Sequence, residues 1–243
     1  VENIDSCFHE HNLNRKVSVG EATLALILNA LGFVSRPLYL TPEFFLNKPI
    51  DLLIREGLSP DDFNDDSLGR ALDILFEGGL TELFAYLASH ALSVFDIAYE
   101  GVHLDTTSLS FYGLYSQKKK SDLPTVEQEQ PSEEDYEPKP IEITYGYSKD
   151  NRPDLKQAIV SLICTHQSSI PVWIQSLDGN ISDKKSFPEA IQNYLEQVNA
   201  NESLYFIMDS AFYTQENIKQ TFTLYWISRV PENNKEVKQL IQK

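Results

Sequence analysis

Regular patterning of apolar and polar positions begins near residue 18. In "SVGEATLALILNALGF" apolar residues recur on a helical period, Ser18 stands three positions before Glu21 as a capping box, and Gly32 offers a stop. Thr41-Pro42 and Lys48-Pro49 each put a proline just inside a helix start, and Gly57 closes the second. "NDDSLGRALDILFEGG" predicts a helix capped by Asn64, with Asp65 and Asp66 on the positive end of its dipole and Gly78-Gly79 as terminator. Asp66 and Arg70 form an i,i+4 pair on that helix. Thr81 starts one more, "TELFAYLASHALSVF". Short helices over 17–96 predict a small all-helical domain at 1–96.

Near Phe95 the period shortens to two. "DIAYEGVHLDTTSLSFYGLY" alternates and is rich in aromatic and β-branched residues, so it reads as a strand. Residues 117–140 carry lysines, then acids, prolines and glutamines, the composition of a solvated, mobile loop. "IEITYGYS" reads as a second strand, "DLKQAIVSLICT" as strand or helix, and "SIPVWIQSL" as a strand closed by the turn "DGN". "SFPEAIQNYLEQV" is a helix, "SLYFIMDSAFY" a buried strand, "TQENIKQTF" a helix and "LYWISRV" a strand. A meander followed by alternation with helices predicts a mixed α/β sheet over 97–243.

Composition bounds the class. With 243 residues, 42% of them hydrophobic and 23% charged, the chain suits one large or two small globular domains. Cys7 and Cys164 cannot make a disulfide framework, and with no secretory signal a reducing cytoplasm is the expectation. No apolar run is long enough to span a bilayer, the run around Leu24 to Leu31 being broken by Asn29. The chain starts at Val1 and stops at Lys243 in a charged, helix-like stretch, as expected of a trimmed chain or partial reading frame. A net charge of -16 argues against attraction of the whole surface to nucleic acid, but leaves room for a local basic patch. "YGYSKDNRPDLKQ" is such a patch, with Lys149, Arg152 and Lys156 interleaved with two tyrosines.

Two carboxylates stand out by position. Asp105 lies within "GVHLDTTSLSF" on the strand face of His103 and Thr107, and Asp209 closes the apolar run "LYFIMD". A charge in or just after a buried strand is costly unless it is paired, hydrogen-bonded or bound to metal. Carboxylate oxygens are natural Mg²⁺ ligands, and two such residues on adjacent strands could hold the metals of a phosphoryl-transfer site. The competing reading for each is a turn-former or helix cap. "DGNISD", Asp178 to Asp183, reads as the end of a hairpin and the start of a helix, or as a loop beside the site. His9, His11, His90 and His166 have no metal-ligand spacing, and there is neither a glycine-rich phosphate loop nor a Gly-x-Ser-x-Gly elbow.

"HLDTTSLSFYG", "ITYGYSKDNRPDLKQ", "PVWIQSLDGNISD", "YFIMDSAFYTQENI" and "WISRVP" follow one another in an order and spacing that resembles a DDE transposase of a bacterial insertion sequence, in the superfamily named after insertion sequence four. "LNALGFVSRPLYL" and "NDDSLGRALDILFE" are similar to the helical domain that precedes the catalytic core in one branch of that superfamily. The resemblance implies a ribonuclease-H-like core, with Asp105 and Asp209 as catalytic and metal-binding residues. It implies a two-metal site for Mg²⁺ or Mn²⁺, hydrolysis at the transposon end, and attack of the freed 3′ hydroxyl on target DNA. Implied partners are the terminal repeats and target as double-stranded DNA, with a homodimer in the transposition complex, and Lys149, Arg152 and Lys156 would contact phosphates. The family's third carboxylate, a Glu in a tyrosine-arginine-glutamate-lysine type motif, has no match. Glu236 comes too soon after "RVP", so the chain is expected to stop before that residue and to cut DNA poorly by itself.

Two other functions compete. A catalytically inactive transposase fragment would act only in DNA or protein binding. "HLDTT" and "GNISD" faintly resemble haloacid-dehalogenase-type phosphatases, but their chemistry wants a second Asp where this chain has Thr107.

Overall fold

The computed structural model describes residues 1–32, 36–115, 139–148, 151–198, 204–232 and 237–239, which form two compact units, Val1–Leu83 and Phe84–Lys243. The expected loop at 117–140 falls almost wholly outside the described residues, as do Lys149 and Glu236.

The first unit is helical. Helices α1 (Glu2–Cys7) and α2 (His9–Asn12), which the sequence pattern did not announce, precede α3 (Val19–Leu31). The Ser18–Glu21 capping box is present at α3, and Gly32 is its C-cap. The Asp5 carboxylate of α1 accepts from Gly20 N–H at 2.8 Å and from the Ser18 hydroxyl at 2.8 Å, so α1 supplies a negative group to the positive end of α3. Asn29, which breaks the apolar run, is buried with its amide bonded to both backbone groups of Arg36. Next come α4 (Thr41–Phe45), with Pro42 in its first turn, and α5 (Ile50–Leu53). Pro49 is the N-cap of α5 rather than a residue inside it, and Gly57 turns the chain with a φ of 84°. In α6 (Asp65–Glu77), Asn64 accepts from Ser67 N–H and Arg70 pairs with Asp66 at 2.8 Å. Val17, Ala22, Ala25, Phe45, Phe63 and Leu68 are central to the core of this unit.

The second unit is a mixed α/β layer. Strands β1 (Gly101–Phe111), β2 (Lys156–Thr165), β3 (Pro171–Leu177), β4 (Tyr205–Met208) and β5 (Tyr225–Ser228) form one sheet in the order β3-β2-β1-β4-β5. The first three are antiparallel neighbours, while β4 runs parallel to β1 and β5 parallel to β4. This is the ribonuclease-H-like arrangement. Val102 and Leu104 of β1, Ile163 of β2, Trp173 of β3 and Phe206 of β4 share a core with α7 (Leu80–Val94) and α8 (Asp183–Val198). α9 (Gln215–Gln220) links β4 to β5.

One expected strand is absent. "IEITYGYS" meets the sheet only at an isolated Thr144–Gln157 bridge. Its polar groups go elsewhere: Glu142 N–H donates to Asp178, Gly179 N–H donates to Glu142 O, and the Gln157 amide donates to Tyr147 O and Gly179 O. A Cβ at Gly146 would fall on Gly179 O, and one at Gly179 on Gln157 O. The close approach of these backbones, with buried Gln157 at their centre, replaces a ladder. "DLKQAIVSLICT", open between strand and helix, supplies β2.

Candidate active site

Alternation along β1 sets the site. Val102, Leu104, Thr106 and Ser108 are buried, whereas His103, Asp105, Thr107 and Leu109 are exposed, so the expected grouping of His103, Asp105 and Thr107 on one face holds. The parallel register pairs Leu104 with Met208 as the last partners of β1 and β4. Asp105 and Asp209 are the next residue on each strand, and both are exposed. β1 continues through Asp105, which is opposite Leu162 of β2, while β4 ends before Asp209.

Each carboxylate has a local role. Asp105 Oδ1 accepts from Thr106 N–H at 2.7 Å, and Asp209 Oδ1 accepts from Ala211 N–H at 2.8 Å. Asp209 O accepts from the Ser228 hydroxyl at 2.7 Å, which ties the turn after β4 to β5. The turn-forming role considered for Asp209 is therefore realised, and it holds the residue at the strand exit.

The basic segment lies apart from the aspartates. Arg152 makes a two-pronged pair with Asp154 at 2.9 and 2.7 Å, and its guanidinium donates to the Tyr112 hydroxyl at 3.1 Å. The Asp154 and Tyr112 bonds hold the Arg152 pKa above its ordinary value, and the Arg152 bond holds Asp154 below the usual carboxylate range. Lys156 Nζ donates to Leu114 O at 2.7 Å and Tyr115 O at 3.0 Å. Lys156 is opposite Phe111, six positions beyond Asp105 on β1, or about 20 Å along the strand. Tyr112 and Leu114, which these cations contact, are exposed, as are Tyr145 and Tyr147.

Sequence reasoning missed one pair on the same sheet face. His103 Nε2 and His166 Nδ1 are 2.7 Å apart, with both residues exposed and ring centroids separated by 5.0 Å. Register creates this pair, by putting His103 opposite Cys164 and His166 just past the end of β2. Burial raises the Cys164 thiol pKa. Among the described residues no group of three His, Cys, Asp or Glu side chains is gathered as a metal centre, and no helix is long and apolar enough to cross a membrane.

Residues 1–89 match a family described as Domain of unknown function (DUF4277). No curated protein matches the chain. Among solved structures, it is similar to the piggyBac transposase synaptic complex with hairpin DNA, with 11% identity and a TM-score of 0.47, over 93% of this chain and 43% of that one. It is also similar to the Mos1 transposase paired-end complex with left transposon end, with 9% identity and a TM-score of 0.31, over 86% of this chain and 57% of that one. For the Mos1 mariner paired end complex with Mn the values are 10% and 0.31, over 93% of this chain and 76% of that one. The chain thus spans less than two thirds of the first two structures, and these likenesses assign no chemistry to it.

Proposed function

We propose that the chain is a transposase-like protein acting on double-stranded DNA, with Asp105 and Asp209 as the acidic pair of a DDE-type site. The observation that carries this reading is the parallel Leu104–Met208 register, since each of the two exposed aspartates is the residue that follows this last pair of neighbouring strands. Metal-dependent cleavage at transposon ends, strand transfer and a homodimeric complex belong to the same reading.

The residues fit the metals that this chemistry uses. Their donors are hard carboxylate oxygens, which suit Mg²⁺ or Mn²⁺. Asp105 and Asp209 would hold the ions, which when bound supply phosphate neutralisation and activation of the attacking oxygen. The chain's own contribution is positional: β1 fixes Asp105 opposite Leu162 of β2 and one residue past its last β4 partner, and the turn after β4 fixes Asp209 through Ala211 and Ser228. Lys149, Arg152 and Lys156 contact phosphates in this reading, with Tyr145 and Tyr147 against sugar or base. The roughly 20 Å from Asp105 to Lys156 corresponds to about six nucleotides of rise, so a duplex lying along β1 would reach both places.

Metal binding tests the assignment directly. Mn²⁺ should bind residues 1–243 weakly, and Asp105→Asn and Asp209→Asn should each abolish that binding while leaving the circular dichroism spectrum unchanged. Mn²⁺ affinity equal to wild type in both variants would refute the assignment. Efficient Mg²⁺-dependent cutting of matched terminal repeats is expected only when a third carboxylate is supplied. Strong cutting by residues 1–243 alone would show that the two aspartates suffice.

A further inference from the structure

We propose that His103 and His166 form a two-imidazole chelate for a borderline transition-metal ion such as Zn²⁺ or Co²⁺, separate from the pair of aspartates. The two ring nitrogens face each other at 2.7 Å on an exposed sheet surface. Their backbones are fixed independently. His103 lies inside β1, paired on one side with Cys164 and on the other with Ile207. His166 N–H donates to Gly101 O at 2.8 Å, at the first residue of β1. Gly101 has no side chain to intervene: a Cβ there would already be 3.6 Å from the His166 Cβ. The two side chains therefore meet because two strands hold them there, which is the pre-organisation a chelate needs.

The distances suit such an ion. Zinc–nitrogen bonds of about 2.05 Å place two tetrahedral ligand nitrogens about 3.3 Å apart, and octahedral ligands about 2.9 Å apart. The nitrogens now lie almost on the line between the ring centroids, so both rings must turn for their lone pairs to converge on one ion. Imidazole is a ligand for Zn²⁺, Co²⁺ and Ni²⁺, and the hard ion Mg²⁺ prefers oxygen, so the ion taken here differs in class from the one suited to Asp105 and Asp209. Solvent completes the coordination sphere. Cys164 faces the same side directly opposite His103 but is not one of the two contacts.

Titration of the metal-free chain with Co²⁺ alone, followed by calorimetry and by cobalt absorption, tests this. His103→Ala and His166→Ala should each weaken the saturable site at least about tenfold, as expected from losing one of two ligands. His9 and His11 remain in both variants, so adventitious binding at the amino terminus cancels in the comparison. Asp105→Asn should leave the Co²⁺ site intact, which separates this proposal from the metal assignment above. Both histidines are exposed, and unchanged circular dichroism checks that the variants fold. Absence of a saturable site, or Co²⁺ affinity unchanged in both histidine variants, would overturn the chelate and leave a simple imidazole–imidazole hydrogen bond. Loss of the Co²⁺ site in Asp105→Asn would also overturn it as a separate site.

Discussion

At the scale of single residues, Gly179 and Gly69 show how differently one residue type can be used. A Cβ at Gly179 would collide with the Gln157 carbonyl and approach Thr144 O at 2.7 Å, and backbone cannot swing aside as a flexible side chain can. At Gly69, inside α6, nothing lies within 4 Å of the added atom. Gly179→Ala should therefore destabilise the protein by about 2–3 kcal/mol, as overpacking does. Gly69→Ala should stabilise it by about 0.5–1 kcal/mol through backbone entropy and helix propensity. Urea unfolding of the two variants checks both signs. "TYGYS" and "LDGN" were legible as motifs, but not as two strips of backbone closing on Gln157. That contact joins positions far apart in the chain, and no local rule encodes it.

At the scale of elements, the first turn of α3 gathers several interactions. The Glu21 carboxylate is nearly buried, closes the capping box on Ser18 and receives the Arg55 guanidinium at 2.5 Å. Burial by itself pushes this carboxyl up, but the bonds from Arg55 and Ser18 outweigh it and hold the pKa below the ordinary 4.5. A depressed carboxylate contributes stability that is complete above its unfolded value and disappears as the pH falls through its folded value. The urea midpoint should therefore fall on acidification below pH 4.5, and Glu21→Gln should flatten that limb by removing the titrating group. A Glu21→Gln profile with the wild-type acid limb would exclude this role. The caps at Ser18 and Asn64 were readable because the cap side chain and the N–H that donates to it are three residues apart. Arg55 was not readable as a partner, since α4 and α5 intervene.

At the scale of the whole molecule, charge restricts the DNA binding proposed above. The net charge of -16 repels phosphates over most of the surface, so such binding would have to come from a local patch. Lys149→Glu and Lys156→Glu should each weaken duplex binding and reduce the slope of log K against log salt by about 0.9, as expected for one lost phosphate contact. Fluorescence anisotropy between 50 and 200 mM salt, about the range over which such contacts are felt, measures this. An unchanged slope would make the segment structural. The internal engagement of Lys156 with Leu114 O and Tyr115 O makes that a real alternative for this residue.

The sequence by itself determined where α3 and α6 start, which face of β1 is polar, and that Asp209 follows directly on an apolar run. These features rest on rules that reach no further than about four residues: capping, period and turn chemistry. Only the tertiary structure decided which distant residues became neighbours. The pairing of β1 with β4 put Asp105 and Asp209 each one residue past the Leu104–Met208 pair, and the pairing with β2 brought His166 to His103. It also turned an apparent strand at 141–148 into a strap held by Gln157. Strand register depends on side chains burying together from separate parts of the chain, and a one-residue slip would send every side chain to the other face of the sheet. The residue types lay in the sequence, but their juxtaposition required the packed core to choose the register.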